Sequence, residues 1–445
     1  MRNLLSCCAA LCGLLLIGPA GLPQLSTARV ITPLPRDHDS VFLLRPDRVF
    51  DGEQMHEGWQ VLVSGRLIIA VGTAAVVKAP PGARIMDLKG MTLLPGLIEG
   101  HSHFFLHPYN EVSWNDQVLK ESRAERLARA TVHACKTLLA GFTTVRDLGT
   151  EGAGYDDVGL KEAIAKGVIP GPHMIVATRA IVATGSYGPK ELSYDIEVPR
   201  GGAEADGMDA LIKEVRTQIG KGADVIKLYA DYRWGLGRHA APTFTLEELK
   251  TAVEVAGSSG RQVVVHASTP EGMRRSILAG VATIEHGDEG TPEIFAMMKE
   301  KGIALCPTLA AGDAIEQYNG WKKGVDADPL KIKNKRQHFQ DALASGVTIC
   351  MGGDVGVFPH GDNAREMEAM LDYGMKPMDV LRSATSVNAD VFRIGDQVGR
   401  IKAGLLSDLV VVAGDPSTNI SVVRKVQWVM KEGRIYWPET GQVKP

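Results

Sequence analysis

Short apolar runs alternate with amphipathic helical patterns from about residue 93 onward, and this alternation is the strongest constraint on the fold. Eight strand–helix units over about 300 residues predict a (β/α)8 barrel. A doubly wound α/β sheet is the alternative, but no Gly-x-Gly-x-x-Gly segment opens a helix after the first strand. The predicted strands are Leu93–Ile98, Thr143–Asp147, His173–Ala177, Val225–Tyr229, Gln262–His266, Ala282–His286, Ile303–Pro307 and Val347–Met351. The predicted helices include Ala124–Leu139, Met208–Ile219, Leu246–Ser258, Pro292–Lys299 and Lys331–Ala344.

The two ends of the chain share a different pattern. Residues 41–91 hold short strand-like runs separated by Asp-Gly, Ser-Gly and Pro-Pro-Gly turns, and the tail from Asp408 repeats this style. We therefore expect one small β-sandwich built from both termini, with residues 38–92 as its first part and 398–445 as its second. The barrel would occupy residues 93–397.

The first 28 residues have the pattern of a secretory signal peptide. Arg2 supplies the positive charge, and the apolar run from Leu4 to Ile17 is too short to span a bilayer. Cleavage would follow Ala20 or Ala28. No later run approaches the length of a membrane span, so we expect a periplasmic or secreted protein that is free of the membrane after cleavage.

The overall composition excludes several classes of protein. The chain is 44% hydrophobic and 23% charged, close to the globular average, which excludes a disordered or fibrous protein. Its formal net charge of −3 offers no basic field for a nucleic acid partner. We expect a small-molecule partner and a homo-oligomeric assembly.

Residues of the types that bind metals stand at the ends of several predicted strands. His101 and His103 follow the first strand, and their i, i+2 spacing puts both imidazoles on one face of an extended chain. His266 ends the fifth strand, His286 ends the sixth, and Asp354 follows the eighth. Barrel active sites gather at these strand ends, and histidine with carboxylate is the ligand set expected of catalytic zinc.

Lys227 extends this pattern to two metals. It lies in the fourth strand, within Asp224-Val-Ile-Lys-Leu-Tyr, and would point into the barrel. Burial favours the neutral amine, which can add carbon dioxide and become an anionic carbamate. We predict two divalent metal ions, bridged by carboxylated Lys227 and a hydroxide; a lysine paired with a neighbouring carboxylate is the alternative.

The combined motif resembles the binuclear branch of the amidohydrolase superfamily. The resemblance rests on Leu94-Pro-Gly-Leu-Ile-Glu-Gly-His-Ser-His, Lys227, His266, His286 and Asp354, and on Gly404-Leu-Leu-Ser-Asp-Leu-Val-Val-Val near the end. The segments Pro359-His-Gly-Asp-Asn-Ala-Arg-Glu and Ala384-Thr-Ser-Val-Asn-Ala are similar to the prolidase-like, carboxypeptidase-like members, some of which hydrolyse ochratoxin A. The resemblance implies that His101, His103 and Asp354 hold one metal and that His266 and His286 hold the other, with Lys227 bridging them.

The resemblance implies hydrolysis of the amide bond to a C-terminal amino acid, and the metal-bridging hydroxide would be the nucleophile. Asp354 would carry the proton to the leaving nitrogen, and Tyr229 would donate a hydrogen bond to the tetrahedral oxygen or to a substrate carboxylate. Candidate substrate contacts are Tyr187, Arg233, Arg238, His239 and His360. The chain departs from the resembling members at Glu99, where they often have Asp, and at Tyr187, where they often have His.

Three other functions stay open at this stage. A mononuclear deaminase or a cyclic amide hydrolase of the same superfamily would use a similar set of histidines, although the deaminases lack the strand 4 lysine. A periplasmic binding protein that kept the barrel and a metal is the alternative without catalysis. Such a binding protein would have no need of Asp354 as a proton carrier.

Overall fold

A computed structural model describes residues 40–190, 192–193, 195–233 and 239–437. The expected signal peptide and Arg238 lie outside the described residues. The two ends of the described chain meet in one hydrogen-bonded sheet of eight strands. Its strands are Val41–Phe50, Met55–Glu57, Trp59–Ser64, Leu67–Thr73, Arg84–Pro95, Leu409–Ala413, Val426–Lys431 and Arg434–Tyr436.

The long strand Arg84–Pro95 joins the N-terminal and C-terminal parts of this sheet. It runs parallel to Val41–Phe50 on one side and antiparallel to Leu409–Ala413 on the other, where Leu409 stands opposite Pro95. Leu93 and Trp428 are buried in the apolar core of this sheet. The tail therefore completes a sheet that the first strands begin, as the shared strand-and-turn pattern of the two ends indicates.

The central part of the described chain forms a closed parallel barrel. Seven of its strands are regular: Leu97–Ser102, Phe142–Asp147, His173–Val176, Val225–Tyr229, Gln262–Ala267, Thr283–His286 and Ala304–Cys306. The eighth position is a short extended segment that pairs through Ile349 with Leu305 and through Val355 with Ser102. A hydrogen bond of 2.8 Å from the Asp224 N–H to the Val176 carbonyl links the third strand to the fourth. The predicted (β/α)8 barrel is confirmed.

The first barrel strand begins at Leu97, whereas the sequence pattern puts its start at Leu93. The residues up to Pro95 belong to the small sheet, and Gly96 marks the passage between the two. A Cβ atom at Gly96 would lie 2.0 Å from the Thr143 hydroxyl, so only glycine permits this close approach. An apolar run that is continuous in sequence thus serves two sheets.

Helices cover the barrel, and several of them begin at a capping hydroxyl. Thr245, Thr269 and Thr291 each accept a hydrogen bond from the first turn of the helix that follows. The α-helices are Trp114–Lys120, Arg123–Leu139, Asp156–Ala165, Gly207–Lys221, Leu246–Gly257, Pro270–Ala279, Pro292–Lys301, Leu309–Tyr318, Leu330–Ser345, Ala364–Asp372, Pro377–Arg382 and Asn388–Val391. A π-helical turn spans Ser383–Val387 and a 3-10 helix spans Ile420–Arg424. Two short strand pairs, Ile181–Val182 with Ala203–Glu204 and Asp231–Arg233 with Ala240–Pro242, extend the loops. Among the described residues, no helix combines the length and apolarity needed to cross a bilayer.

Candidate metal centre

The carboxyl ends of the barrel strands open into one cavity of about 810 Å³. Parallel strands bring their ends to a common rim, so side chains that are far apart in sequence meet there. The cavity is lined by His101, His103, His266, His286 and Asp354. The structure therefore brings together five of the six predicted metal ligands around one space, and Lys227 lies buried in the fourth strand.

His101 and His103 direct the same ring nitrogen towards Asp354. Their Nε2 atoms lie 3.6 and 3.2 Å from the Asp354 Oδ1 atom. Their Nδ1 atoms are engaged on the other side, where His101 lies 2.9 Å from the Glu285 carboxylate and His103 lies 2.9 Å from the Gly149 carbonyl. Partners at Nδ1 leave Nε2 free for a metal, which is the usual arrangement around a histidine ligand.

His266 and His286 complete the ring of imidazoles. Their ring centroids lie 4.3 Å apart, and His286 lies 5.2 Å from His101 by the same measure. The Nδ1 atom of His286 lies 2.8 Å from the Thr308 hydroxyl. Potential ligand atoms of His101, His286 and Asp354 all lie within 4.8 Å of one another. A single cation can therefore be reached by side chains from three different strand ends.

Backbone conformation turns several of these side chains into the cavity. His286, Thr308 and Asp354 have φ values of 73°, 52° and 61°, in the left-handed region that residues other than glycine seldom adopt. His286 is the last residue of its barrel strand, and Thr308 and Asp354 follow the seventh strand and the eighth segment. Strained backbone of this kind is concentrated at functional sites, where the surrounding contacts hold it in place.

The pKa values of the ligand-type residues in the metal-free protein differ with the partners of each side chain. Burial lowers the pKa of His101 to about 4 and that of His266 to about 3, so both imidazoles are neutral at pH 7. Burial also disfavours the charged form of His103, but its bond to Asp354 outweighs burial and raises the pKa of His103 to about 9. Burial opposes ionisation of Asp354 as well, yet His101 and His103 hold the pKa of that carboxyl below its ordinary value.

The surroundings of Lys227 show whether the residues present fit a centre with two metals. Its side chain is buried, and its Nζ atom has no hydrogen-bond partner among the described residues. Burial lowers the pKa of Lys227 to about 8, although Glu285 and Asp354 act to raise it. A buried amine without a partner is costly. Carboxylation of this amine, with cations to receive its oxygens, removes that cost, so the residues present fit a binuclear centre.

Two buried glutamates that hold this centre were not assigned roles from sequence. Glu285 contacts His101 and also accepts a hydrogen bond of 2.8 Å from Arg146. Glu99 accepts hydrogen bonds from the backbone N–H groups of His101 and Gly353, at 3.0 and 2.8 Å, and so joins the first strand to the loop of Asp354. Burial raises the pKa of Glu99 to about 7 against the effect of these bonds. In the sequence, the only indication of these roles is that Glu285 directly precedes His286 and Glu99 lies two residues before His101.

The predicted substrate contacts separate into two groups. Tyr187, Tyr229, Arg233 and His239 line the cavity, with Arg233 and His239 exposed at its rim. His360 does not line the cavity formed by the described residues. Its buried ring stacks on His133 with centroids 4.2 Å apart, and its Nε2 atom donates to a backbone carbonyl at 3.1 Å. Packing beneath the first-strand loop thus keeps His360 away from the opening.

Comparison with known proteins places the chain in a family. The model of the amidohydrolase family matches residues 92–436. The chain is 29% identical to ochratoxinase from Aspergillus niger over 421 residues, which cover 87% of this chain and 84% of that protein. A solved Xaa-Pro dipeptidase with methionine bound in its active site matches with a TM-score of 0.78 and 31% identity, over 89% of this chain and 100% of that one. A prolidase solved with N-methylphosphonate-L-proline matches with a TM-score of 0.78 and 25% identity, over 89% and 100% of the two chains. The chain belongs to the amidohydrolase family and is a metal-dependent hydrolase.

Proposed function

We propose that this hydrolase cleaves the amide bond to a C-terminal amino acid, in dipeptides and N-acyl amino acids, with ochratoxin A as a further candidate substrate. The observation that carries the proposal is the buried, unpartnered amine of Lys227 beside a ring of metal-ligand side chains. The names of the similar proteins supply the bond class, since ochratoxinase and prolidases are among them.

The proposed centre holds two zinc ions. His101, His103 and Asp354 would hold one, and His266 and His286 would hold the other. Lys227 would bridge them as a carbamate, which forms when the neutral amine bonds to the carbon of carbon dioxide and loses a proton. The lowered pKa of Lys227, about 8, keeps part of this amine neutral near pH 7.

When bound, the metals supply an activated water and polarise the amide carbonyl. Asp354 stands beside the imidazoles of His101 and His103, at 3.6 and 3.2 Å, where it can accept the proton of that water. It then delivers the proton to the leaving nitrogen, which the reaction needs because an amide anion is a very poor leaving group. Deletion of this carboxylate is expected to stop turnover.

The rim of the cavity offers a place for the substrate carboxylate. Arg233 and His239 are exposed there, and among the described residues neither forms an ion pair with an acidic side chain. A guanidinium binds a carboxylate through two parallel hydrogen bonds. We assign the free carboxylate of the released amino acid to this rim and the scissile amide to the space between the metal-ligand residues.

The test is hydrolysis of a panel of substrates by protein loaded with zinc and bicarbonate. The panel holds dipeptides, N-acyl amino acids and ochratoxin A, and the readout is the free amino acid that each releases. Asp354→Asn, purified in the same way, is the control for contaminating peptidases. A cyclic amide hydrolase or a deaminase would release no amino acid from any of these compounds, and that result would reject the proposal.

We also infer that the protein is exported and assembles as a homo-oligomer. The support for export is the N-terminal segment, which lies outside the described residues. N-terminal sequencing of the mature protein is expected to begin at Gly21 or Arg29. An intact Met1 on protein recovered from the cytoplasm would contradict export, and light scattering of the purified protein measures the number of subunits.

A further inference from the structure

Glu151 lies in the wall of the catalytic cavity and has no role in the chemistry described so far. It follows the second barrel strand, and its side chain is buried. Its φ of 50° puts a glutamate in the left-handed region, where the backbone is strained. Such a conformation persists only where surrounding contacts hold it, and these contacts are made by the side chain.

The Glu151 carboxylate receives hydrogen bonds from neutral groups. Its Oε2 atom accepts from the Trp114 indole N–H at 3.0 Å and from the Tyr187 hydroxyl. Within the described part of the chain, its Oε1 atom has a single, longer bond of 3.4 Å from the Tyr229 hydroxyl. Among the described residues, no lysine or arginine nitrogen lies within 4.0 Å of this carboxylate; the nearest basic atom is the His103 Nδ1 atom, at 4.0 Å. That nitrogen is already engaged with the Gly149 carbonyl. Farther off, burial lowers the pKa of Arg126, and the Glu151 charge opposes this effect, so Glu151 also balances part of that guanidinium's charge.

Three tyrosine rings pack together beside this carboxylate. The ring centroid of Tyr187 lies 4.6 Å from that of Tyr229 and 4.9 Å from that of Tyr232. All three rings line the cavity. The faces of aromatic rings carry partial negative charge and attract cations, most strongly where water is excluded. Lys190 and Arg233 already lie over the Tyr232 ring, 5.4 and 5.8 Å from its centroid. The rings of Tyr187 and Tyr229, together with the buried Glu151 carboxylate, therefore form the part of this wall that favours a further positive group.

We propose that Glu151 is a specificity-determining residue that selects substrates with a protonated amine on the acyl side of the scissile bond. This inference rests on the proposed amide hydrolysis and specifies its substrate class: dipeptides with a free N-terminal ammonium rather than N-acyl amino acids without one. The ammonium binds against the tyrosine rings and the free side of Glu151 Oε1. The substrate carboxylate binds elsewhere, to Arg233 and His239 at the rim.

The test compares two substrates that differ only in the amine, alanyl-phenylalanine and propionyl-phenylalanine. With the metal-loaded wild type, kcat/KM is expected to favour the dipeptide by about 10- to 150-fold, the effect of one charge-assisted hydrogen bond. Glu151→Gln keeps an oxygen acceptor for Trp114 and Tyr187 but removes the charge. The variant is expected to lower kcat/KM for the dipeptide by a similar factor. Its kcat/KM for propionyl-phenylalanine should stay within about threefold of the wild-type value.

Several outcomes overturn the inference. If Glu151 has only a structural role, Glu151→Gln would lower kcat/KM equally for both substrates and leave the ratio of the two values unchanged. If the dipeptide's amine binds a metal instead, the wild type would still prefer the dipeptide, but Glu151→Gln would not reduce this preference. Equal rates in the wild type would reject the inference without use of any variant. Glu111→Gln, a change at a half-exposed carboxylate that contacts His107 outside the cavity, is the matched control.

A binding measurement separates this inference from the proposed function. If no member of the substrate panel is hydrolysed, the proposed function fails, and calorimetry with choline and its neutral isostere 3,3-dimethylbutanol decides the cation site alone. A quaternary ammonium cannot ligate a metal. Tighter binding of choline to the wild type, with the preference lost in Glu151→Gln, supports the cation site. Equal binding of the two compounds rejects it.

Discussion

Glu285 holds the imidazole of His101 in one orientation, with its Oε2 atom 2.9 Å from the Nδ1 atom of that ring. Its other oxygen accepts a hydrogen bond of 2.8 Å from Arg146, and all three side chains are buried. The carboxylate therefore fixes the ring nitrogen that faces the metal site and also neutralises a buried guanidinium. Burial by itself would raise the pKa of Glu285, but the charge of Arg146 and the hydrogen bond with His101 keep that pKa low.

Glu285→Gln is expected to weaken both metal binding and the fold. Loss of the carboxylate behind a histidine ligand costs roughly 10- to 100-fold in metal affinity. The same change leaves the Arg146 charge without its partner, which costs about 3–5 kcal/mol of the free energy of unfolding. Competitive metal titration and urea denaturation measure the two effects. Glu254→Gln, at an exposed glutamate, is the control, and an unchanged metal affinity in Glu285→Gln would contradict the assigned role.

Lys227→Met is expected to change the number of bound metals without harming the metal-free fold. The wild type should hold two zinc ions per chain and the variant one, because the bridging group is gone. The metal-free variant should be as stable as the wild type or more stable by about 1–3 kcal/mol, since a buried amine without a partner is removed. Elemental mass analysis and denaturation of the chelated proteins measure these quantities. Two metals in Lys227→Met would reject the bridging role.

Lys227 also gives the metal-free protein a specific pH dependence. Burial lowers the pKa of this amine from 10.5 to about 8, so the folded state resists protonation that the unfolded state accepts. The resulting penalty is fully present below pH 8 and disappears as pH rises to 10.5, because between these values the unfolded chain binds more protons. A shift of this size corresponds to roughly 3 kcal/mol. The stability gap between Lys227→Met and wild type should therefore narrow from pH 7 to pH 10, and a constant gap would exclude this titration.

The barrel and the ligand-type residues were open to prediction because their signals are local. His101 and His103 stand two residues apart after an apolar run, and strand ends of a parallel barrel share one rim. The contacts that complete the site are not local. Glu285 is 184 residues from His101 in the chain, and no spacing in the sequence links the two. Glu151 differs again, because its role depends on a loop conformation that its neighbours in sequence do not indicate.

The first strand shows a second limit of sequence patterns. The run that starts at Leu93 is apolar throughout, so its hydrophobicity has no break where the chain leaves the small sheet. The break is steric: Gly96 passes against Thr143, a contact that appears only when both strands are in place. The helix Pro270–Ala279, whose bounds are not among those predicted from the sequence, is short and packs against its neighbours through Met273 and Ile277.

Recognition of the substrate carboxylate gives the last prediction. Arg233 and His239 are exposed hydrogen-bond donors on the rim that Tyr232 adjoins, and a hydrogen bond from either to the charged carboxylate is worth about 1.5–3 kcal/mol. Conversion of the phenylalanine carboxylate of alanyl-phenylalanine to its amide should therefore lower kcat/KM about 10- to 150-fold in the wild type.

Alanine substitution identifies the donor. Arg233→Ala or His239→Ala should lower kcat/KM for alanyl-phenylalanine by a similar factor, mainly through KM. The same substitution should lower kcat/KM for the amide little further, because the amide has no carboxylate for the deleted group to bind. Arg216→Ala, an exposed change on the helix Gly207–Lys221, is the control for loss of one surface charge. If the wild type cleaves acid and amide equally well, the carboxylate has no fixed partner. The enzyme is then a general amidase.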